Sequence, residues 1–377
     1  MRALSVLLAV ALASIACSSA VEDTTDSAED DEQALAQEGV GDLDPPSAQP
    51  AAPPLGPSKN APRALWVAHG GDDTAAGDEQ HPLASLEGAQ ARLVKDYPSG
   101  LDRNVEVRVV ADGRAYEEAV EWTFSSPDYT ISFMPGAYRF GMRWSELSKK
   151  GGRPIFDGHD ACAAKKSGAN CRFFHGQVEN VRFYYLHVRR YSTAAFTLHH
   201  SAGHNLVYGC VIASIGNRPA AFHHLNIGMS GVGLGTDHNR VQNNHFVNLL
   251  NKAGDERFLH AVYMNAASDN VVVHNSALRV CGDPIKVRNF ANRNVVAHNR
   301  FRQTGDKGYF LDWPDNGAGE SCSWMNVFSD NALESGYGGA SVSTTTLYQG
   351  CAKCDGAACK ECQDGGCAWR VKTSNNR

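Results

Sequence analysis

The chain has 377 residues and a formal net charge of −6, with 42% hydrophobic residues, enough length for one large domain or two ordinary ones. The charge is unevenly spread: residues 18–60 hold ten acidic residues and one lysine, and with Arg2 also set aside residues 61–377 stand at +2. No basic run or nucleic-acid-binding signature accompanies that small excess, so nucleic acid is excluded as an expected partner.

The chain opens with Met1-Arg2, an apolar run from Leu4 to Ala13 and small residues up to Cys17. That pattern is expected to be an export signal over residues 1–17. The run is too short for a permanent bilayer span. Cys17 sits as in a bacterial lipoprotein lipobox, which this segment resembles, with Ser14 where leucine is usual. A lipid on Cys17 at the outer membrane or cell surface, and free secretion, both stay open. Such a lipid would be the chain's membrane contact. Residues 18–62 are expected to be a disordered acidic Ala/Pro/Ser tether.

Eleven cysteines suit an oxidising compartment, and ten remain if Cys17 is lipidated. Cys162 and Cys171 bracket a short polar loop and are expected to close it. The tail 351–377 holds Cys351, Cys354, Cys359, Cys362 and Cys367. Its paired C-x-x-C units lie closer together than zinc ribbons allow, so disulfides are favoured over a metal site there. Connectivity stays open.

Five segments align without gaps: NLVYGCVI from Asn205, NRVQNNHF from Asn239, NVVVHNSA from Asn270, NVVAHNRF from Asn294 and NVFSDNAL from Asn326. Their starts are separated by 34, 31, 24 and 32 residues, as in a solenoid with insertions. The units show short alternating Val/Ile/Phe runs and no helical period. Val207, Val241, Val272, Val296 and Phe328 should point inward, as should Ile212, Phe246, Ala277, Phe301 and Leu333. The second asparagine recurs as Asn244, Asn275, Asn299 and Asn331, with Cys210 in that slot one turn earlier. Asparagines stacked at a tight bend can bond to one another and to turn backbone.

This pattern resembles the asparagine ladder of right-handed parallel β-helices in the pectate-lyase-like superfamily. The resemblance implies an all-β, single-stranded right-handed parallel β-helix over residues 63–350. It also implies a short capping helix after the Gly/Asp-rich loop of Leu65–Val94. Ser85 would be the N-cap of that helix, with Leu86, Ala89, Leu93 and Val94 on one face. The Cys-rich tail would then cap the last turn.

Three strands precede repeat starts: AFTLHH, HAVYMN and PIKVRN. Counting back from each asparagine assigns Leu198, Tyr263 and Val287 to an inward slot. The same count turns His199, Val262, Met264, Lys286 and Arg288 outward, with His260 on the same face and Asp312 and Trp313 on the next turn. Lys286 and Arg288, two apart in a strand, share one side, about 7 Å from each other. At an effective dielectric of about 20 they repel by about 2.4 kcal/mol, which lowers the lysine pKa toward a usable base.

The resemblance then implies an exported carbohydrate-active protein, with a polysaccharide as partner. The favoured activity is β-elimination of a uronate-containing polysaccharide, with Lys286 as base, Arg288 neutralising the carboxylate and His260 as proton donor. His199, Asp283, Asp312 and Trp313 would contact substrate, although Asp283 before Pro284 also suits a turn. No cofactor is expected, calcium being the alternative, and the chain is expected to be a monomer. Departures stand beside this. The chondroitinase-and-alginate-lyase branch carries its lysine closer to the next asparagine, where this chain has Phe290. Pectate-lyase calcium aspartates, the polygalacturonase aspartate triad and the epimerase Asp-Pro-His are absent. GMSGVG fails the nucleophile-elbow pattern at Val232. The alternative is a non-catalytic surface protein that binds or adheres through the same groove.

Overall fold

Each turn of the chain is built from short strands separated by bends, and the bends are where the sequence acts most directly. The computed structural model describes residues 60–164, 171–199, 203–216, 229–250, 258–314, 319–348 and 369–377. The export signal, Cys17, the tether up to residue 59 and Cys351–Cys367 lie outside them. His204, His238, Asp269, Arg293 and Met325 all have φ between 55 and 59°. Asn243, His274, His298 and Asp330 have φ of 56–57°. None is glycine, so each costs on the order of 1–3 kcal/mol and must be held by its surroundings.

The residue after each of them does the holding. Asn294 Oδ1 accepts the backbone N–H of Asn270 at 2.9 Å and its Nδ2 at 3.0 Å. The same paired bonds join Asn205 to Asn239, Asn239 to Asn270, and Asn294 to Asn326. A second ladder runs through Asn244, Asn275, Asn299 and Asn331 and ends on Asn376. Cys210 joins it by donating its backbone N–H to Asn244 Oδ1 at 2.9 Å. Both repeat asparagines therefore form ladders, where the sequence pattern pointed to the second.

The bends divide every turn among three parallel sheets of ten, eight and eight strands, here sheets 1, 2 and 3 in chain order. The architecture is a right-handed parallel β-helix. Val207, Val241, Val272, Val296 and Phe328 pair in register in sheet 1, and Ile212, Phe246, Ala277, Phe301 and Leu333 in sheet 2. All but Leu333, which packs against the core from the rim, are buried in one continuous apolar cluster. Burying each valine-sized side chain contributes about 1.5–3 kcal/mol.

At the start, Ser85 caps helix α1 (Leu86–Asp96) by accepting the Gly88 N–H at 2.9 Å. Leu86, Ala89 and Leu93 are buried, but Val94 is 52% exposed and faces away from the core. At the other end Val371–Ser374 returns to pair with Asn326–Ser329 as the tenth strand of sheet 1. The solenoid therefore takes in part of the segment assigned from sequence to the tail. Cys162 and Cys171 form a disulfide, and Cys322 is disulfide-bonded too. Cys210 and Cys281 are buried and stand outside any disulfide, so the cysteines do not all form disulfides. Among the described residues no helix is long and apolar enough to cross a membrane.

Replacing Asn275 by alanine removes the acceptor for Asn244 and the donor to Asn299 Oδ1 and Val241 O. At about 1–3 kcal/mol for each buried group left unpaired, the variant should lose about 2–4 kcal/mol in urea denaturation. A loss below about 0.5 kcal/mol, the range of ordinary surface substitutions, would mean the ladder does not hold the bend.

Candidate active site on sheet 3

The strand Ile285–Arg288 alternates as its sequence requires. Ile285 and Val287 enter the core, while Lys286 and Arg288 do not. Lys286 lies between Tyr263 and Leu311 on the neighbouring strands, and Arg288 lies beside Asn265. Tyr263 thus shares the outward row with Lys286, and Val262 and Met264 are core residues. The reading by counting back had this strand reversed. The cause is a connection of changing length. Arg288 lies six residues before its ladder asparagine and its partner Asn265 only five before Asn270. A one-residue slip transfers every side chain to the other face.

The row is also longer than expected. Met229–Gly235 is a strand of this sheet, inserted between Ala194–His199 and Leu259–Asn265. His199 is therefore three strands from Arg288, about 14 Å at ordinary spacing. It instead stacks on His175 at 4.5 Å, with their Nε2 atoms in contact, and His175 Nδ1 meets Glu121 at 2.5 Å. The structure does not bring His199 to the two cations.

Lys286 is only 6% exposed, so the outward row is a covered surface and not the open patch that alternation suggested. Among the described residues its ammonium makes no hydrogen bond or ion pair. Burial, then the Arg288 charge, lowers its pKa to about 7, with Asp283 and Asp312 acting in the opposite sense. The sequence names repulsion from Arg288, and desolvation is the larger cause.

Arg288 is not an open clamp. Its guanidinium is forked on the Glu320 carboxylate, and its Nη1 donates to Tyr263 Oη at 3.0 Å. Glu320 thus occupies the guanidinium fork that the sequence left open. Sequence reasoning missed it, although its loop was visible as an insertion beside this face.

His260 lies on the outer face with them. Its ring packs on Tyr263 at 5.5 Å while Ala261 and Val262 turn into the core. Its Nδ1 lies 2.6 Å from Asp283 O, and a carbonyl only accepts, so Nδ1 carries the proton. Burial, then Lys286, depresses its pKa to about 3. The imidazole is neutral near pH 7 with a bare Nε2, so the expected role of proton donor is corrected. The Tyr263 hydroxyl accepts from Arg288.

The two aspartates are corrected as well. Asp283 Oδ1 accepts the backbone N–H groups of Lys307 and Gly308, both at 2.7 Å, and fastens a turn. Asp312 is fully buried in the inward row beside Val287 and pairs with Arg370 at 2.5 Å. Trp313 is 39% exposed, with Lys307 Nζ 4.7 Å from its ring centre and Tyr348 edge-on at 5.0 Å. Among the described residues no three metal-ligating side chains converge.

Comparison with known proteins gives fold-level likeness. No family model and no curated protein sequence matches the chain. The GH136 lacto-N-biosidase of Eubacterium ramulus is 10% identical with a TM-score of 0.40, over 84% of this chain and 67% of that one. Pectate lyase Pel9A is 13% identical with a TM-score of 0.39, over 85% and 80%. A rhamnogalacturonan lyase is 11% identical with a TM-score of 0.33, over 83% and 87%.

The buried lysine has a thermodynamic signature. Its folded pKa lies below the unfolded one, so the unfolded state holds the extra proton between about pH 7 and the ordinary lysine value near 10.4. Stability should rise with pH across that window. Lys286→Met should therefore be more stable than the parent at pH 6 in urea titrations, and its advantage should shrink by pH 10. A pH-independent difference would contradict the burial of a charge here. His260 acts at the acid end: the unfolded state takes up its proton first, so stability falls as pH falls from about 6.5 to about 3, and His260→Gln should flatten that limb.

Proposed function

We propose that the protein is an exported carbohydrate-active enzyme that cleaves a uronate-containing polysaccharide by β-elimination on the outer face of sheet 3. The observation that carries the reading is Lys286: outward, covered, without a hydrogen-bond partner among the described residues, and near half-neutral at pH 7. A free amine in that state is suited to take a proton from carbon at neutral pH. Export is supported by the disulfides at Cys162–Cys171 and Cys322, which fit an oxidising compartment.

The step balances with the residues on that face. Lys286 Nζ takes the proton α to the substrate carboxylate. The electron pair forms the ring double bond and the 4-O bond breaks. Tyr263 Oη, one strand away on the same row, gives its proton to the leaving oxygen. Arg288 holds the resulting phenolate through Nη1. The substrate carboxylate binds the guanidinium by displacing Glu320, so Glu320 acts as an internal competitor. Water then carries the proton from the Lys286 ammonium back to the Tyr263 phenolate, which restores both groups.

Pectate, alginate and glycosaminoglycans should be offered in turn and the ultraviolet absorbance of unsaturated products followed. One class should react, with kcat/KM rising through about pH 7 as Lys286 loses its proton. Lys286→Ala should fall by about 10²–10⁴-fold, the usual contribution of a positioned base. Glu320→Gln should lower KM. Binding of a polymer by the parent protein with no product from any class would overturn the lyase reading in favour of the adhesin.

A further inference from the structure

A second charged cluster lies on the outside of the corner between sheets 1 and 2, away from Lys286. Arg153 reaches across it. Its Nε donates to Gly209 O at 3.1 Å, and its guanidinium lies flat over the Trp144 ring at 3.7 Å. Tyr185 is the next aromatic ring, at 5.9 Å. Among the described residues its Nη1 and Nη2 make no hydrogen bond and meet no carboxylate. The nearby Asp157 is committed to Arg189 at 2.9 Å and Arg190 at 2.8 Å.

Two histidines stand on the outer row of sheet 2 beside the bend that holds Arg153. His187 pairs with Val211 in sheet 2, and Val211 pairs with His245, so the rings stand two strands apart, about 10 Å. Gly209, which holds Arg153, is two residues before the strand between them. His187 Nε2 is buried without a hydrogen-bond partner. His245 Nδ1 contacts Ser276 Oγ at 3.2 Å. Both rings are held down to about 3, by burial first, with Arg153 contributing.

Arg153 is half-buried, and among the described residues no carboxylate meets its Nη1 or Nη2, so the outer edge of the fork is open to an incoming acceptor. The planar fork of an arginine stacked on tryptophan, with both Nη groups unspent, matches the oxygens of an oxyanion. We propose that Arg153, with His187 and His245 beside it, binds an oxyanion group of a ligand, a carboxylate or a sulfate such as acidic polysaccharides carry. The site is on a different face from Lys286 and stands whether or not sheet 3 is catalytic.

The test uses the full chain and calorimetric titration with three probes: inorganic sulfate, galacturonate and a sulfated monosaccharide. The parent protein should bind at least one saturably, and the preferred probe tells carboxylate from sulfate. Arg153→Met keeps the apolar contact with Trp144 and should weaken that binding tenfold or more. Arg293→Gln, at an exposed arginine paired with Asp269, should leave it unchanged. Arg153→Met should also melt no lower than the parent in the absence of probe, because an unpaired charge is removed, whereas a purely structural staple would melt lower. If Arg153→Met does not fold, His187→Gln combined with His245→Gln should show the weakened binding instead. No saturable binding by the parent, or equal binding by the variants, overturns the proposal.

Discussion

The register of successive turns is the constraint on which the rest of the molecule depends. It is fixed at the bends, where a left-handed residue of ordinary type precedes an asparagine whose amide spans to the next turn. Each asparagine satisfies the backbone N–H above it and is satisfied in turn by the one below. The bonds are buried, so leaving one unmade costs more than making it gains. The ladders therefore act mainly against slippage. Two of them flank sheet 1, which makes that sheet the most regular part of the solenoid and sets the frame from which the others depart.

Sheet 3 departs most, and its departures create its chemistry. Its strands run into the next ladder through connections of unequal length, six residues from His199 to Asn205 but five from Asn265 to Asn270. This freedom lets the tyrosine of one strand come beside the lysine of the next. The same face is covered, so a lysine there sheds its charge cheaply and Arg288 requires a counter-ion. Glu320 supplies one. A buried amine, a hydroxyl held by a guanidinium and a carboxylate paired with it are thus consequences of one packed surface, not independent features.

Much of this was legible in the sequence. The asparagine repeat, the inward valines of sheet 1, the capping role of Ser85 and the shared face of Lys286 and Arg288 follow from spacing alone, since each depends on local periodicity. Tyr263, His199 and Asp312 were misplaced because their positions depend on the length of a bend and on an additional strand rich in glycine, Met229–Gly235, whose apolar alternation is confined to Val232 and Leu234. The role of His260 turns on which nitrogen meets a carbonyl, and that of Asp283 on a turn 23 residues later; neither leaves a mark in a linear pattern. Glu320 was out of reach because an ion pair across 32 residues has no local signature.

The most direct test is the titration of one amine. Selective isotopic labelling of lysine, with Lys286→Arg to assign the signal, would let NMR follow Lys286 from pH 5 to 11. The account predicts a transition close to about 7. A transition near 10.4, where an unburied lysine titrates, would show that the covered outward row does not exist in solution and would remove the base from the proposed chemistry.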